Sequence, residues 1–127
     1  MIVLDTSALI DLFRGSEEIR KFVGEDAATT MISCYEIFAG ISHRRSEREE
    51  QFFRRFFSGI DVLDFEMRAA EKAGAIMGQL LGQGTPVNAL DVLIAGIAIT
   101  NGAERLISRD RDFEKISQVS ELAVLIY

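Results

Sequence analysis

The chain reads as an α/β fold three layers deep, with a mainly parallel sheet of about five strands between two layers of helices. Three observations lead there. The short aliphatic and β-branched runs Ile2 to Leu4, Leu106 to Ser108 and Ala123 to Ile126 lack the in-out alternation of a half-exposed strand, as expected of parallel strands covered on both faces. Segments of helical spacing separate the strands, the pattern of right-handed crossovers in a parallel sheet. A hydrophobic content of 48% over 127 residues supports a compact core, and with no repeat, low-complexity tract or linker the economical reading is a single domain over residues 1–127.

The elements follow in order. After the strand Ile2 to Leu4, Ser7 to Phe13 has helical spacing until Gly15, and Ser16 with Glu17 and Glu18 restarts a helix to about Val23 by capping and dipole complementarity. Thr29 to Ile32 is a second strand. Ser33 followed by Glu36 fits a capping box that opens a helix with Ile37, Phe38 and Ile41 facing inward. Glu47 to Phe57 is strongly helical, and Gly59 stops it before a third strand, Ile60 to Leu63. Glu66 to Leu81 is helical, Gly82, Gly84 and Pro86 form a loop, and Asn88 to about Thr100 is another helix. Leu106 to Ser108 and Ala123 to Ile126 complete the sheet.

Twenty acids against fourteen bases give a net charge of −6, which opposes sequence-blind binding to polyanions through overall charge. Contact with nucleic acid must then be local or metal-mediated. The single Cys34 excludes an internal disulfide and fits a reducing cytoplasm. Met1 to Leu4 meets Asp5 at once, so no secretory leader is expected. The apolar run Val92 to Ile99 is far shorter than the roughly 20 residues a bilayer needs.

In open α/β sheets the functional crevice lies outside the carboxyl ends of the strands. Asp5, the helix openings at Glu36 and Asp91, and Asp110 all fall at that edge. Capping explains each acid singly: Asp5 before Thr6 and Ser7, Glu36 with Ser33, Asp91 with Asn88, and Asp110 and Asp112 in a polar turn around Arg111. Capping does not explain their common address. Asp91 stands out as the only charged residue between Ala73 and Ala103, on a helix apolar nearly all round, where a lone ionised group is costly without a partner. Converging carboxylates repel, and an all-oxygen site suits Mg²⁺ or Mn²⁺, whereas zinc would want the Cys and His this chain almost lacks. One or two such ions, by activating water and stabilising charge on the oxygens of a phosphodiester, meet the needs of metal-dependent hydrolysis.

The blocks Ile2 to Leu9 (IVLDTSAL), Ile32 to Gly40 (ISCYEIFAG), Pro86 to Ala95 (PVNALDVLIA) and Leu106 to Phe113 (LISRDRDF), in this order and spacing, resemble the PIN-domain ribonucleases, and within them the VapC-type toxins of toxin–antitoxin pairs. The resemblance covers nearly the full length. It implies that Asp5, Glu36, Asp91 and Asp110 or Asp112 bind Mg²⁺ or Mn²⁺, that Ser7 supports the site, and that the substrate is RNA cut endonucleolytically. It also implies a neutralising antitoxin and a homodimer.

Other features have more than one reading. Phe52, Phe53, Phe56 and Phe57 make one helix stripe, either core or a groove for a second copy or an antitoxin. Arg44, Arg45 and Arg48 belong to a locally basic stretch from His43 to Arg55; they solvate a helix, hold RNA phosphates or accept an antitoxin carboxylate. Arg109 and Arg111 position phosphate or pair within their turn. The competing functions are a PIN-type nuclease of RNA processing outside any toxin pair, aspartyl-phosphate chemistry at Asp5, and a non-catalytic interaction module. The second is disfavoured by Ser7 where a second Asp would be needed.

Overall fold

The computed structural model describes residues 1–127. In chain order the elements are β1 (Ile2–Leu4), α1 (Thr6–Phe13), α2 (Glu17–Arg20), β2 (Ala27–Thr30), α3 (Met31–Arg44), α4 (Glu47–Ser58), β3 (Asp61–Leu63), α5 (Met67–Gly82), α6 (Ala89–Thr100), β4 (Arg105–Ser108), α7 (Asp112–Gln118) and β5 (Val124–Ile126). The strands form one sheet in the order β3-β2-β1-β4-β5, and every pairing in it is parallel.

The absence of alternation in the strands has a direct cause. Val3 and Leu106, paired across β1 and β4, belong to a core shared with Ile76 and Leu80 of α5, Val92 and Ile94 of α6 and Phe113 of α7. Their neighbours Leu4 and Ile107, also paired, turn to the opposite face and pack with Leu9 of α1, Ile37 and Ile41 of α3 and Phe53 of α4. Because successive strand residues point to opposite faces and both faces are covered, both parities must be apolar.

The strand order also fixes where a site can form. From β1 the chain builds outward through β2 to β3, then returns to add β4 and β5 on the other side of β1. The switch point therefore lies between the carboxyl ends of β1 and β4, where crossovers diverge and leave a crevice. Asp5 follows β1, and Asp110 lies two residues beyond β4.

Local differences from the sequence reading have physical reasons. The second strand is Ala27–Thr30 and not Thr29 to Ile32, because the Thr30 hydroxyl accepts the Ser33 N–H (3.1 Å) and caps α3 from that point. Ser33 and Glu36 are consequently one turn inside the helix and form no capping box. The helix after Ser16 ends at Arg20; the amides of Phe22 and Val23 reach carbonyls three residues back, which tightens the chain into turns. Helix α7 has no counterpart in the sequence reading; it is seven residues long and holds its place by burying Phe113 and Ile116, three positions apart.

Two packing details constrain the layers. A Cβ on Gly96 would meet the Ala69 carbonyl oxygen at 2.7 Å and the Ala73 Cβ at 3.0 Å, so α5 and α6 approach as closely as they do only with glycine there. The Phe stripe of α4 faces inward: Phe53 is 1% exposed, Phe52, Phe56 and Phe57 pack half-buried against the same core, and Phe13 lies 5.2 Å from Phe52 and Phe38 5.7 Å from Phe57, both edge to face. No helix is long and apolar enough to cross a membrane.

Candidate active site

Asp5 occupies the N-cap of α1 with extended backbone, and its side chain is held from three directions. Oδ1 accepts the Ala8 N–H (2.9 Å) and the Ser7 hydroxyl (2.7 Å), and Oδ2 accepts the Ser108 hydroxyl in a short hydrogen bond. The capping role read from sequence is therefore real. It coexists with a site role, because the two serines pass the connection onward: Ser7 Oγ accepts the Arg109 N–H (2.9 Å) and Ser108 Oγ accepts the Asp110 N–H (2.9 Å). Through two hydroxyls, Asp5 anchors the turn that carries Asp110.

Beyond β4 the turn tightens on itself, with the Asp112 N–H donating to Asp110 Oδ1 (2.9 Å). This presents Asp110 and Asp112 to Asp91 in the first turn of α6, and one carboxylate oxygen from each of the three lies within 4.8 Å of the other two. Glu36 is held separately: Thr6 Oγ1 donates to its Oε1 (2.7 Å) and lies 3.1 Å from Ser33 Oγ. Thr6, directly after Asp5, thus ties the α3 acid to the start of α1.

Electrostatics join these groups into one site. Burial raises Asp91, which the like charges of Asp110, Asp5 and Glu36 push further, so that its pKa reaches about 7. Asp5 is also raised, first by burial and last by the charge of Asp110, against hydrogen bonds from Ser108, Ala8 and Ser7 that favour its ionised form. No basic side chain hydrogen-bonds Asp5, Glu36, Asp91 or Asp110. Two nearby arginines are spent outside the cluster, Arg111 on Glu114 (2.9 Å) and Arg109 on Asp11 (2.9 Å), and the one cation that reaches it is Lys115, a loose 3.7 Å from Asp112. The donor set is all oxygen, converging and short of positive charge, and it fits a hard divalent cation.

The structure thus brings together Asp5, Glu36, Asp91, Asp110 and Asp112, with Ser7 beneath them. Arg44, Arg45 and Arg48 lie apart, at the α3–α4 junction. Arg44 forms a two-pronged pair with Glu49 (3.0 and 2.6 Å), Arg45 takes left-handed backbone (φ 54°) at the end of α3, and Arg48 covers the Phe13 ring at 5.7 Å. A groove of about 490 Å³ between α3 and α4 is lined by Phe38, Ile41, Arg45, Glu50 and Arg54 among others; its charges are of both signs, and the convergent carboxylates lie outside it. Sequence reasoning gave no role to Thr6 or Ser108. Their signal was present, since each hydroxyl residue adjoins a strand end at the acidic edge.

Comparison with known proteins identifies the family and the fold. The family model described as "PIN domain" matches residues 2–119. Two similar relatives are named tRNA(fMet)-specific endonuclease VapC: that of Shigella flexneri is 35% identical over 80 residues, 63% of this chain and 61% of that protein, and that of Salmonella typhimurium is 30% identical over 119 residues, 90% of each. Among solved structures, DNA-bound VapBC from Salmonella typhimurium superposes with a TM-score of 0.81 at 26% identity, covering 98% of this chain and 96% of that one.

Proposed function

This chain belongs to the PIN-domain family, and from that premise we propose that it is a divalent-metal-dependent endoribonuclease that hydrolyses RNA phosphodiesters as the toxin of a toxin–antitoxin pair. The observation that carries the metal assignment is the convergence of Asp91, Asp110 and Asp112 within 4.8 Å at the switch point, with the charges of Asp5 and Glu36 also bearing on Asp91. Asp5, Glu36, Asp91 and Asp110 would hold Mg²⁺ or Mn²⁺, with Asp112 the alternative or additional ligand. Such an ion lowers the pKa of bound water and stabilises charge on the attacking and leaving oxygens of the phosphodiester.

The protein's own part is to pre-arrange the carboxylates. Ser7 and Ser108 fix the rotamer of Asp5 and Thr6 fixes Glu36, so the acids keep their positions despite mutual repulsion. Arg111, whose side chain is 79% exposed beside the acids, would exchange its surface pair with Glu114 for an RNA phosphate. The VapBC complex of the Salmonella neighbour supports an antitoxin partner for this chain. A homodimer and residence in the cytoplasm complete the reading.

The test is Asp91→Asn, which keeps side-chain volume while removing the charge. RNA cleavage stimulated by Mg²⁺ or Mn²⁺ should fall by on the order of 10²- to 10³-fold, in a variant that remains folded by circular dichroism. The thermal midpoint of the unaltered protein should rise with Mn²⁺, since an ion bound only by the native state stabilises it. Unchanged cleavage by a folded Asp91→Asn would remove the metal assignment; absence of any divalent-ion effect would favour a non-catalytic module.

A further inference from the structure

One ion pair beside the site lies outside the cluster of converging carboxylates, and although the Arg109 side chain is half exposed, its partner Asp11 is held from two directions. Asp11 lies one helical turn beyond Ser7 on the same face of α1. Its Oδ2 accepts from Arg109 Nε (2.9 Å) and from the Tyr127 hydroxyl (2.7 Å), and its Oδ1 faces Arg109 Nη2 at 3.4 Å. The side chain of Asp11 is only 16% exposed, and the Tyr127 and Arg109 bonds hold it ionised, below the usual carboxylate range, against the opposing effect of burial.

The same two residues are gripped at their backbones. The Arg109 N–H donates to Ser7 Oγ (2.9 Å), and the Tyr127 N–H donates to the Ser108 carbonyl (3.2 Å). Residue 109 is therefore clamped to one face of α1 twice, by its amide at Ser7 and by its guanidinium at Asp11, while Tyr127 closes the clamp from just beyond the end of β5, the strand on the other side of β4. The next residue is Asp110. Any drift of this turn relative to α1 changes the gap between Asp5, at the N-cap of α1, and Asp110.

We infer that Asp11, with Arg109 and Tyr127, is a positioning unit that sets the spacing of the carboxylates on α1 and on the turn after β4, and so tunes the affinity of the site for a divalent cation. None of the three belongs to the carboxylates that would hold the ion. This rests on the metal-site reading above. A purely structural ion pair would contribute to stability and leave ion affinity alone, and that contrast makes the two roles separable.

The probe is Mn²⁺ alone, titrated calorimetrically into the ion-free full chain. Asp11→Asn should weaken Mn²⁺ binding by roughly 3- to 10-fold, below or at the low end of what loss of a direct ligand's partner costs, and Tyr127→Phe by a smaller factor in the same direction. Asp11→Glu, which restores the charge, should recover part of the loss. A folded Asp11→Asn or Tyr127→Phe with a lowered thermal midpoint and an unaltered Mn²⁺ dissociation constant overturns the inference. Should Asp11→Asn fail to fold, Tyr127→Phe decides the matter by itself. Asp91→Asn is the control for the parent reading: Mn²⁺ binding that survives it indicts the metal site, whereas binding lost in Asp91→Asn and unchanged in the two clamp variants indicts the clamp only. No Mn²⁺ binding by the unaltered protein overturns both.

Discussion

The acidic edge and helix α4 are both rich in charge, and they treat it in opposite ways. On α4, Arg54 meets Glu50 at i,i+4, Glu49 takes the two prongs of Arg44, and the guanidinium groups of Arg48 and Arg54 lie over the rings of Phe13 and Phe38. Charge there is cancelled locally, above a layer of packed aromatics. At the acidic edge, Asp91 faces Asp110, Asp5 and Glu36 with no cation between them. The difference teaches that charge density does not mark a site; charge left unneutralised in a fixed arrangement does, because the fold bears its cost continuously.

Three experiments would sharpen or break that contrast. The largest effect on stability should come from α4: Phe53→Ala removes a side chain that is 1% exposed and should cost about 3–5 kcal/mol in denaturant unfolding, with Mn²⁺ affinity unchanged in the folded fraction. A large loss of affinity at constant fold would show that α4 is part of the site.

Asp91→Asn should do the reverse and stabilise the ion-free protein at pH 8. A carboxyl raised from 3.8 to about 7 in the native state binds its proton more tightly folded than unfolded, so ionising it destabilises the fold. The penalty is absent below about pH 4, grows as pH climbs toward 7, and is fully present above. Discounted for partial exposure, the gain should be about 1–2 kcal/mol at pH 8 and vanish near pH 4, measured by thermal or urea unfolding without divalent ions. No gain at pH 8 would mean that the acids are already neutralised within the protein. The smallest effect belongs to the surface pair Arg54–Glu50, whose coupling in a double-mutant cycle should be about 0.3–0.5 kcal/mol and decline with salt. A larger value would mean that α4 charge is organised for more than solvation.

Much of this was legible in the chain because it rests on local chemistry. The aliphatic runs around Val3 and Leu106 announced buried parallel strands, and Asp91 announced itself as the lone charge on an apolar helix. Where the reading slipped, competing local signals were equally good. Ser33 and Glu36 fit a capping box, yet Thr30 was also a competent N-cap and lay earlier, so the helix began there and freed Glu36 to meet Thr6. Helix α7 escaped because two buried residues in seven give too little periodicity to detect. The basic stretch from His43 to Arg55 read as helix solvation or as a ligand surface, and sequence spacing alone cannot reveal that Arg44 is engaged by Glu49.

The sequence by itself determined the alternation of strand and helix, the identity of the acids and their position after strand ends, since hydrophobic patterning and turn chemistry act over a few residues. Only the tertiary structure decided the rest: that β4 returns beside β1 so that Asp5 and Asp110 flank one crevice, that Ser7 and Ser108 carry the anchoring of Asp5 to the distant turn, and that Asp11, Arg109 and Tyr127 meet at all. These are contacts between residues about a hundred positions apart. Their partners are chosen by strand order and layer packing, which no local stretch of sequence encodes.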